Sequence, residues 1–218
     1  MKNLRAVYPR TVLLTLFAAL VLYGFIWFAA QAKLIYTDEV PFAFDMRALA
    51  QGDWAQLTIP HPPLYVWLGS LAVRMGGYNL LALRVVGGLS FIATLLLIPL
   101  ACHALIADPA RARRGALIAH VIYALHPLAL QGSLLLDIDN TVFTPALLLF
   151  IITLARTEPS PAAVRIPAVG GAFALLLWTK LLPTPLILLA SVLVSYALRR
   201  KYFLSTCLGL AFGLVLFA

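Results

Sequence analysis

The chain has 218 residues, of which 63% are hydrophobic and only 11% are charged, whereas soluble globular domains contain about 45–50% apolar and about 25% charged residues. This composition excludes a soluble domain and a disordered chain. It contains only two cysteines, Cys102 and Cys207, and each lies in an apolar stretch, which excludes a small fold held by disulfides. The net charge of +8 is explained without a nucleic acid partner, because Lys and Arg accumulate at the cytoplasmic ends of membrane spans.

The first apolar run covers residues 11–32 and follows a basic leader that contains Lys2, Arg5 and Arg10. Ala30-Gln31-Ala32 has the form of a signal peptidase site, so a cleaved signal peptide is the alternative. The apolar region of a signal peptide is usually about 7–15 residues long, which is shorter than this run. We therefore predict an uncleaved first span with a cytoplasmic N-terminus.

The segment 61–76 is amphipathic and decides the topology. Its apolar residues recur at helical spacing and predict one apolar face: Leu64, Trp67, Leu68, Leu71 and Met75. At ~1.5 Å per residue the segment reaches only about 24 Å, less than the hydrocarbon core of about 30 Å. It either crosses the membrane or lies in the interface.

Six further apolar runs have approximately the length of a span. They cover residues 82–106, 115–131, 141–155, 164–179, 181–198 and 203–218. The glycine pairs at 87–88 and 170–171 predict close contacts between these helices. His120 and His126, six residues apart, do not share a helical face, so we expect packing or hydrogen bonds there rather than a metal site.

The distribution of basic residues favours a segment 61–76 that does not cross. In that topology eleven of the sixteen Lys and Arg are cytoplasmic: Lys2, Arg5, Arg10, Arg111, Arg113, Arg114, Arg156, Arg165, Arg199, Arg200 and Lys201. If the segment crossed, the clusters at 111–114 and 199–201 would lie outside, against the positive-inside rule.

We therefore predict an all-α polytopic membrane protein with about seven transmembrane helices. A long first outer loop, about 33–81, contains amphipathic juxtamembrane helices, and a second outer loop covers about 132–140. The whole chain, 1–218, forms a single transmembrane module. Because the sequence stops inside an apolar run, we expect it to be the N-terminal part of a longer protein.

This topology places most of the acidic residues on the outer side. Asp38 and Glu39 are adjacent carboxylates near the first span, and such a pair can accept a proton from a hydroxyl or bind a divalent cation. A solvated loop is the alternative. Asp137 and Asp139 precede the run 141–155, where ionisable groups in an apolar setting indicate function, although they can also cap the following helix.

Three basic residues on the same side are candidates for binding an anion. His61 stands at the start of the amphipathic helix, where it could bind an anion or ligate a metal. Arg84 and Lys180 lie at the outer ends of spans, against the usual charge bias. A lipid phosphate in the outer leaflet would explain them, and snorkelling towards the headgroups is the alternative.

Six short motifs occur in a fixed order: Asp38-Glu39, Gly52-Asp53-Trp54, His61-Pro62-Pro63-Leu64-Tyr65-Val66-Trp67-Leu68, Ala82-Leu83-Arg84, Leu136-Asp137-Ile138-Asp139 and Thr179-Lys180. This ordered set resembles the GT-C glycosyltransferases, in particular the bacterial branch related to protein O-mannosyltransferases, lipid A aminoarabinose transferases and rhizobial galacturonosyltransferases. The resemblance covers residues 36–183. Val40-Pro41-Phe42 departs from it, because the family often has an aromatic or basic residue soon after the acidic pair.

The resemblance implies an inverting transfer of a sugar from a polyprenyl-phosphate donor to a hydroxyl of a lipid, glycan or protein. The reaction would take place at the outer face of a bacterial inner membrane. In this interpretation Asp38 is the general base, and His61, Arg84 and Lys180 bind the donor phosphate. Glu39 and Asp139, with Asp38, could hold a divalent metal ion or orient the sugar, and Asp137 is the alternative acid of the second loop. A membrane transporter and a non-catalytic membrane subunit remain alternative functions.

Overall fold

The structure is a computed structural model that describes residues 7–29, 39–58, 64–136, 141–181 and 183–217. Most of these residues are helical, and they include no β-strand. We number the α-helices in chain order: α1 Arg10–Ala29, α2 Glu39–Ala50, α3 Leu64–Gly76, α4 Leu80–Leu105, α5 Pro109–Leu125, α6 Pro127–Leu134, α7 Phe143–Arg156, α8 Ala162–Thr179, α9 Thr184–Leu198 and α10 Phe203–Phe217. Short 3₁₀ helices cover Trp54–Gln56 and Arg200–Tyr202.

Four helical segments of the described chain are long and apolar enough to cross a membrane: Arg10–Ala29, Leu80–Leu105, Ala162–Thr179 and Arg200–Phe217. The helices α5 and α6 meet the same criteria only together, as a pair bent by 59°, which gives five candidate spans. The helices α7 and α9 are apolar but shorter. The prediction of an all-helical membrane protein is confirmed at this level, while seven spans stay a prediction.

The surface of these helices is suited to lipid. On α1, Leu14 is 67% exposed, Phe25 75% and Phe28 81%. Water would disfavour so large an apolar surface, whereas lipid tails solvate it. The chain is therefore an integral membrane protein.

The amphipathic segment forms α3, which has 13 residues and a length of about 20 Å. It packs against α2 and α4. Of the predicted apolar face, Leu64 is buried whereas Trp67 and Met75 are exposed, and the buried residues also include Tyr65 and Val73. Exposed apolar side chains are compatible with a helix that lies in the membrane interface.

The structure differs from the sequence prediction in the run 115–131, which the sequence predicts as one continuous helix. The chain breaks at His126, and α6 starts at Pro127. A proline lacks the N–H that the helix needs and disfavours helical geometry in the residue before it, so the break follows from the local sequence.

Three groups of buried side chains organise the bundle. The first joins α2, α3 and the beginning of α4 to Leu136 and Val142. The second lies between α1, α4, α5 and α6, where the rings of Tyr23 and Phe91 stack with 4.0 Å between centroids. The third joins α7, α8 and α10 around Phe150 and Phe173. The first group, which we call the loop cluster, surrounds the candidate site.

Glycines bring two helix pairs into close contact. A Cβ atom on Gly170 would lie 2.8 Å from the carbonyl oxygen of Gly209 on α10, and one on Gly87 would lie 2.5 Å from the carbonyl oxygen of Ser133 on α6. Both glycines are therefore needed for close packing. Gly171 has no atom within 4 Å of such a Cβ, so only the first glycine of that pair makes the predicted contact.

A proline within α4 is compensated by α5. Pro99 has no N–H, so the carbonyl of Leu95 lacks its helical donor. The Nε2 atom of His120 lies 2.7 Å from that oxygen and donates to it, because a carbonyl oxygen only accepts. The hydroxyl of Tyr8 donates to the adjacent Leu96 carbonyl at 2.7 Å. The hydrogen bond of His120 agrees with the interhelical contact expected from the sequence.

Candidate functional site

The centre of the loop cluster is a buried ion pair between Glu39 and Arg84. Nη2 of Arg84 lies 2.9 Å from Oε1 and 3.1 Å from Oε2 of Glu39, and its Nε lies 3.2 Å from Oε1. Arg84 is 0% exposed and Glu39 1%. Because burial removes the water from both charges, each group depends on the other for solvation.

Local sequence fixes both partners of the pair. Glu39 is the first residue of α2, and Arg84 lies in the second turn of α4. Asn79 caps α4 by accepting a hydrogen bond from the Ala82 N–H at 2.9 Å. Gly77, with φ of +77°, makes the sharp turn from α3, in a conformation that favours glycine. These features set the position from which Arg84 reaches Glu39.

A third segment joins the ion pair through its main chain. The Leu136 N–H donates to Oε1 of Glu39 at 3.0 Å. Glu39 therefore connects the beginning of α2, the beginning of α4 and the segment just before Asp137. Charge-assisted hydrogen bonds of this kind are stronger than neutral ones.

The ion pair affects the metal-binding role that the sequence suggests for Glu39. The carboxylate of Glu39 receives hydrogen bonds from a guanidinium and an amide, which are positively polarised donors. A divalent cation at the same oxygens would be repelled by Arg84. The described residues contain no group of three His, Cys, Asp or Glu that could hold a metal ion. The predicted set of Asp38, Glu39 and Asp139 includes two residues outside the described ones, so a metal site there stays a prediction.

Two further acids of the segment 39–58 have structural partners that the sequence does not reveal. Asp45 is buried and accepts hydrogen bonds from the Thr58 N–H at 2.9 Å and from its hydroxyl at 2.8 Å. Asp53 caps the short helix Trp54–Gln56 by accepting from the Ala55 N–H at 3.2 Å. Both carboxylates thus hold the loop between α2 and α3.

Lys180 follows the last residue of α8. Its N–H donates to the Leu176 carbonyl at 3.2 Å, and the preceding Thr179 is fully buried. The helix α8 contacts α3, so α8 packs directly against an element of the loop cluster.

The remaining predicted site residues, Asp38, His61, Asp137 and Asp139, lie outside the described residues. Two of them are nevertheless adjacent in sequence to members of the ion-pair network. Asp38 directly precedes Glu39, and Asp137 directly follows Leu136.

A cavity that sequence reasoning missed lies beside the bend between α5 and α6. Its volume is about 450 Å³, and its lining is mostly apolar with three hydroxyl side chains and one imidazole: Thr94, Tyr123, Thr144 and His126. In the sequence, Pro127 indicates the break between α5 and α6. The cavity itself depends on how four helices pack together, which no local signal predicts. Its size falls within the range of ligand sites.

Comparison with known proteins identifies no relative of this chain. No family model, no curated protein and no solved structure matches the chain. The site must therefore be interpreted from its own residues.

Proposed function

We propose that the protein is a membrane glycosyltransferase that uses a polyprenyl-phosphate sugar as donor and a hydroxyl group as acceptor. The observation that carries the proposal is the buried network of Glu39, Arg84 and the Leu136 N–H. It joins three of the segments whose ordered motifs resemble the GT-C enzymes. A buried charge pair is costly to maintain, and its position between two predicted outer loops suggests that it shapes a site.

The topology belongs to the same proposal. Seven spans, with the N-terminus in the cytoplasm of a bacterium, place the loop cluster at the outer face of the inner membrane. Contacts at the other end of the bundle support this arrangement. Arg199 pairs with Glu158 at 2.8 Å and Arg165 donates to the Thr157 hydroxyl at 3.4 Å, so Arg156, Arg165 and the cluster 199–201 lie at the same end. A concentration of basic residues is typical of the cytoplasmic side.

In the proposed reaction Asp38 is the general base. Its carboxylate takes the proton of the acceptor hydroxyl while the oxygen attacks the anomeric carbon of the donor sugar. The new glycosidic bond forms as the bond between the anomeric carbon and the phosphate oxygen breaks, with inversion. The lipid phosphate leaves with the electron pair, and Asp38 keeps the proton.

The leaving phosphate gains negative charge, which nearby cations can stabilise. We assign this role to His61 and Lys180. Arg84 differs from them, because two of its nitrogens are directed at Glu39. We therefore assign Arg84 and Glu39 as positioning residues, which hold the main chain next to Asp38 and Asp137. Asp139 and Asp137 remain candidates for orienting the sugar.

The test is the substitution Asp38→Asn in the full-length protein, assayed in membranes with a panel of polyprenyl-phosphate sugars. We expect transfer to fall by about 10²–10⁴-fold, the usual contribution of a general base, with unchanged protein levels. The matched control is Asp53→Asn, which makes the same chemical change in the same loop at a carboxylate that caps a 3₁₀ helix. Full activity of the Asp38 variant would refute the assignment.

A transporter is the second candidate, and the bent pair α5 and α6 favours it. Discontinuous helices with a cavity at the break are typical of transporter binding sites. The two functions differ in what purified protein does in liposomes. A transporter moves a solute across a sealed membrane without a lipid-linked donor, whereas the proposed enzyme requires the donor and leaves a new glycosidic bond.

A further inference from the structure

A second cavity lies at the end of the bundle remote from the Glu39–Arg84 pair. It has a volume of about 340 Å³ and separates α7 from α9. Its walls are apolar along most of their length and include Leu147, Ile151, Ile187, Ala190 and Val194. The polar side chains that line it are concentrated near the end of α7 and the end of α9, where Glu158, Arg165 and Arg199 lie. The cavity therefore has an apolar part and a charged end.

Arg165 is the central residue of the charged end. It is 2% exposed, and its guanidinium donates to the Thr206 hydroxyl at 2.8 Å and to the Leu154 carbonyl at 3.3 Å. The ring of Tyr202 lies 5.2 Å below its central carbon. Its Nε, however, has no hydrogen-bond partner among the described residues. A buried cationic donor without a protein partner can be satisfied by a bound anion or by water.

No carboxylate among the described residues forms an ion pair with Arg165. Glu158 is the acid of this end, and its Oε2 is paired with Nη1 of Arg199 at 2.8 Å. The segments 156–165 and 199–201 together contain five basic residues and one acidic residue. The charged end thus has an excess of positive charge beside an apolar cavity.

We propose that this cavity binds one anionic phospholipid, with an acyl chain between α7 and α9 and its phosphate at Arg165 and Arg199. Arginine suits this role because its planar donors match phosphate oxygens. Basic pockets between transmembrane helices are also favourable positions for anionic headgroups. An apolar helix from another protein would cover the walls, but it would bring no anion for Arg165. This inference does not depend on the proposed glycosyl transfer.

The experiment measures phosphatidylglycerol bound to the full-length protein in detergent by native mass spectrometry, with phosphatidylethanolamine of the same acyl chains as the comparison. We expect the protein to retain one phosphatidylglycerol molecule in preference to phosphatidylethanolamine. Arg165→Gln removes the cationic donor, and Ala190→Trp fills the apolar part without changing charge. Each should weaken retention by about tenfold. Arg113→Gln, at an exposed arginine on α5, should leave it unchanged.

The variants separate the possible outcomes. Ala190 is exposed on α9, so Ala190→Trp should fold. It therefore still tests the proposal if Arg165→Gln does not fold. Equal retention of the two lipids, or normal retention by the Ala190 variant, would overturn the proposal. So would displacement of the lipid by millimolar inorganic phosphate, because the site would then bind a free anion. A second copy of the chain seated in the cavity would likewise contradict it.

Discussion

His120 on α5 donates from Nε2 to the carbonyl oxygen of Leu95 on α4 at a distance of 2.7 Å, the group that Pro99 leaves without its helical donor. The imidazole is fully buried, and its Nδ1 faces the hydroxyl of Thr15 on α1 at 3.4 Å. One side chain thus links three helices at the point where the longest of them is weakened. This hydrogen bond supports the packing of the bundle and requires no catalytic role for His120.

The His120 contact can be tested by a double-mutant cycle with Pro99. We expect His120→Leu to lower the free energy of unfolding by about 1–3 kcal/mol, the cost of a buried unsatisfied carbonyl. In a Pro99→Ala background the helix regains its own N–H donor, so the same substitution should cost clearly less. Thermal unfolding in detergent measures both. His126→Leu, at an exposed histidine, is the matched control, and equal costs in the two backgrounds would contradict the interpretation.

The Glu39–Arg84 pair should be essential for folding or insertion. Removing one partner leaves a buried charge, so Glu39→Gln or Arg84→Met should destabilise the protein by about 3–5 kcal/mol. The double substitution to Leu and Met removes both charges and should recover part of that loss. Stability is measured by the temperature at which the detergent-solubilised protein aggregates. A double variant less stable than either single variant would argue against a direct pair.

The pair of Glu158 and Arg199 provides the control for that experiment. Its geometry is similarly close, with 2.8 Å between Oε2 and Nη1, but the side chain of Arg199 is 56% exposed. Exposed ion pairs contribute only about 0–1 kcal/mol. Glu158→Gln should therefore leave the aggregation temperature nearly unchanged, and a loss as large as that for Glu39→Gln would show that the assay does not distinguish burial.

The two neighbouring glycines on α8 should respond in opposite ways to alanine. Gly170→Ala places a Cβ against the backbone of α10, and overpacking of this kind costs about 1–3 kcal/mol. Gly171→Ala meets open space and should be neutral or stabilise the helix by up to ~1 kcal/mol. Thermal unfolding of the two variants makes the comparison. A similar loss for both would mean that α8 and α10 do not cross at Gly170.

The proposed topology can be tested at the exposed end of α3. Met75 is 85% exposed, so Met75→Cys, in a chain whose Cys102 and Cys207 are replaced by Ala, should react with a membrane-impermeant maleimide in intact cells. Arg113→Cys on α5 should react only after the inner membrane is permeabilised. The reverse pattern would place the loop cluster in the cytoplasm and would exclude the proposed outer site.

The sequence predicts helix positions well because apolar runs and turn residues are local signals. The run 82–106 became α4 at Leu80–Leu105, and the run 203–218 became α10 at Phe203–Phe217. Pairings between distant residues are different. The sequence indicates both Glu39 and Arg84 as site residues, but for separate roles, because no local signal shows that a carboxylate 45 residues away pairs with this guanidinium. The sequence does not indicate which residues of α3 pack inside the bundle, because lipid solvates exposed apolar side chains such as Trp67 and Met75 as well as the protein core does.

The tie between Leu136 and Glu39 has an evolutionary consequence. The donor is a main-chain N–H, so nineteen of the twenty amino acids can supply it, and only proline cannot. The side chain at position 136 is constrained separately, because Leu136 is 2% exposed and packs in the loop cluster. Another apolar residue of similar size could therefore replace leucine there and keep the hydrogen bond, provided that the acid at 39 is kept.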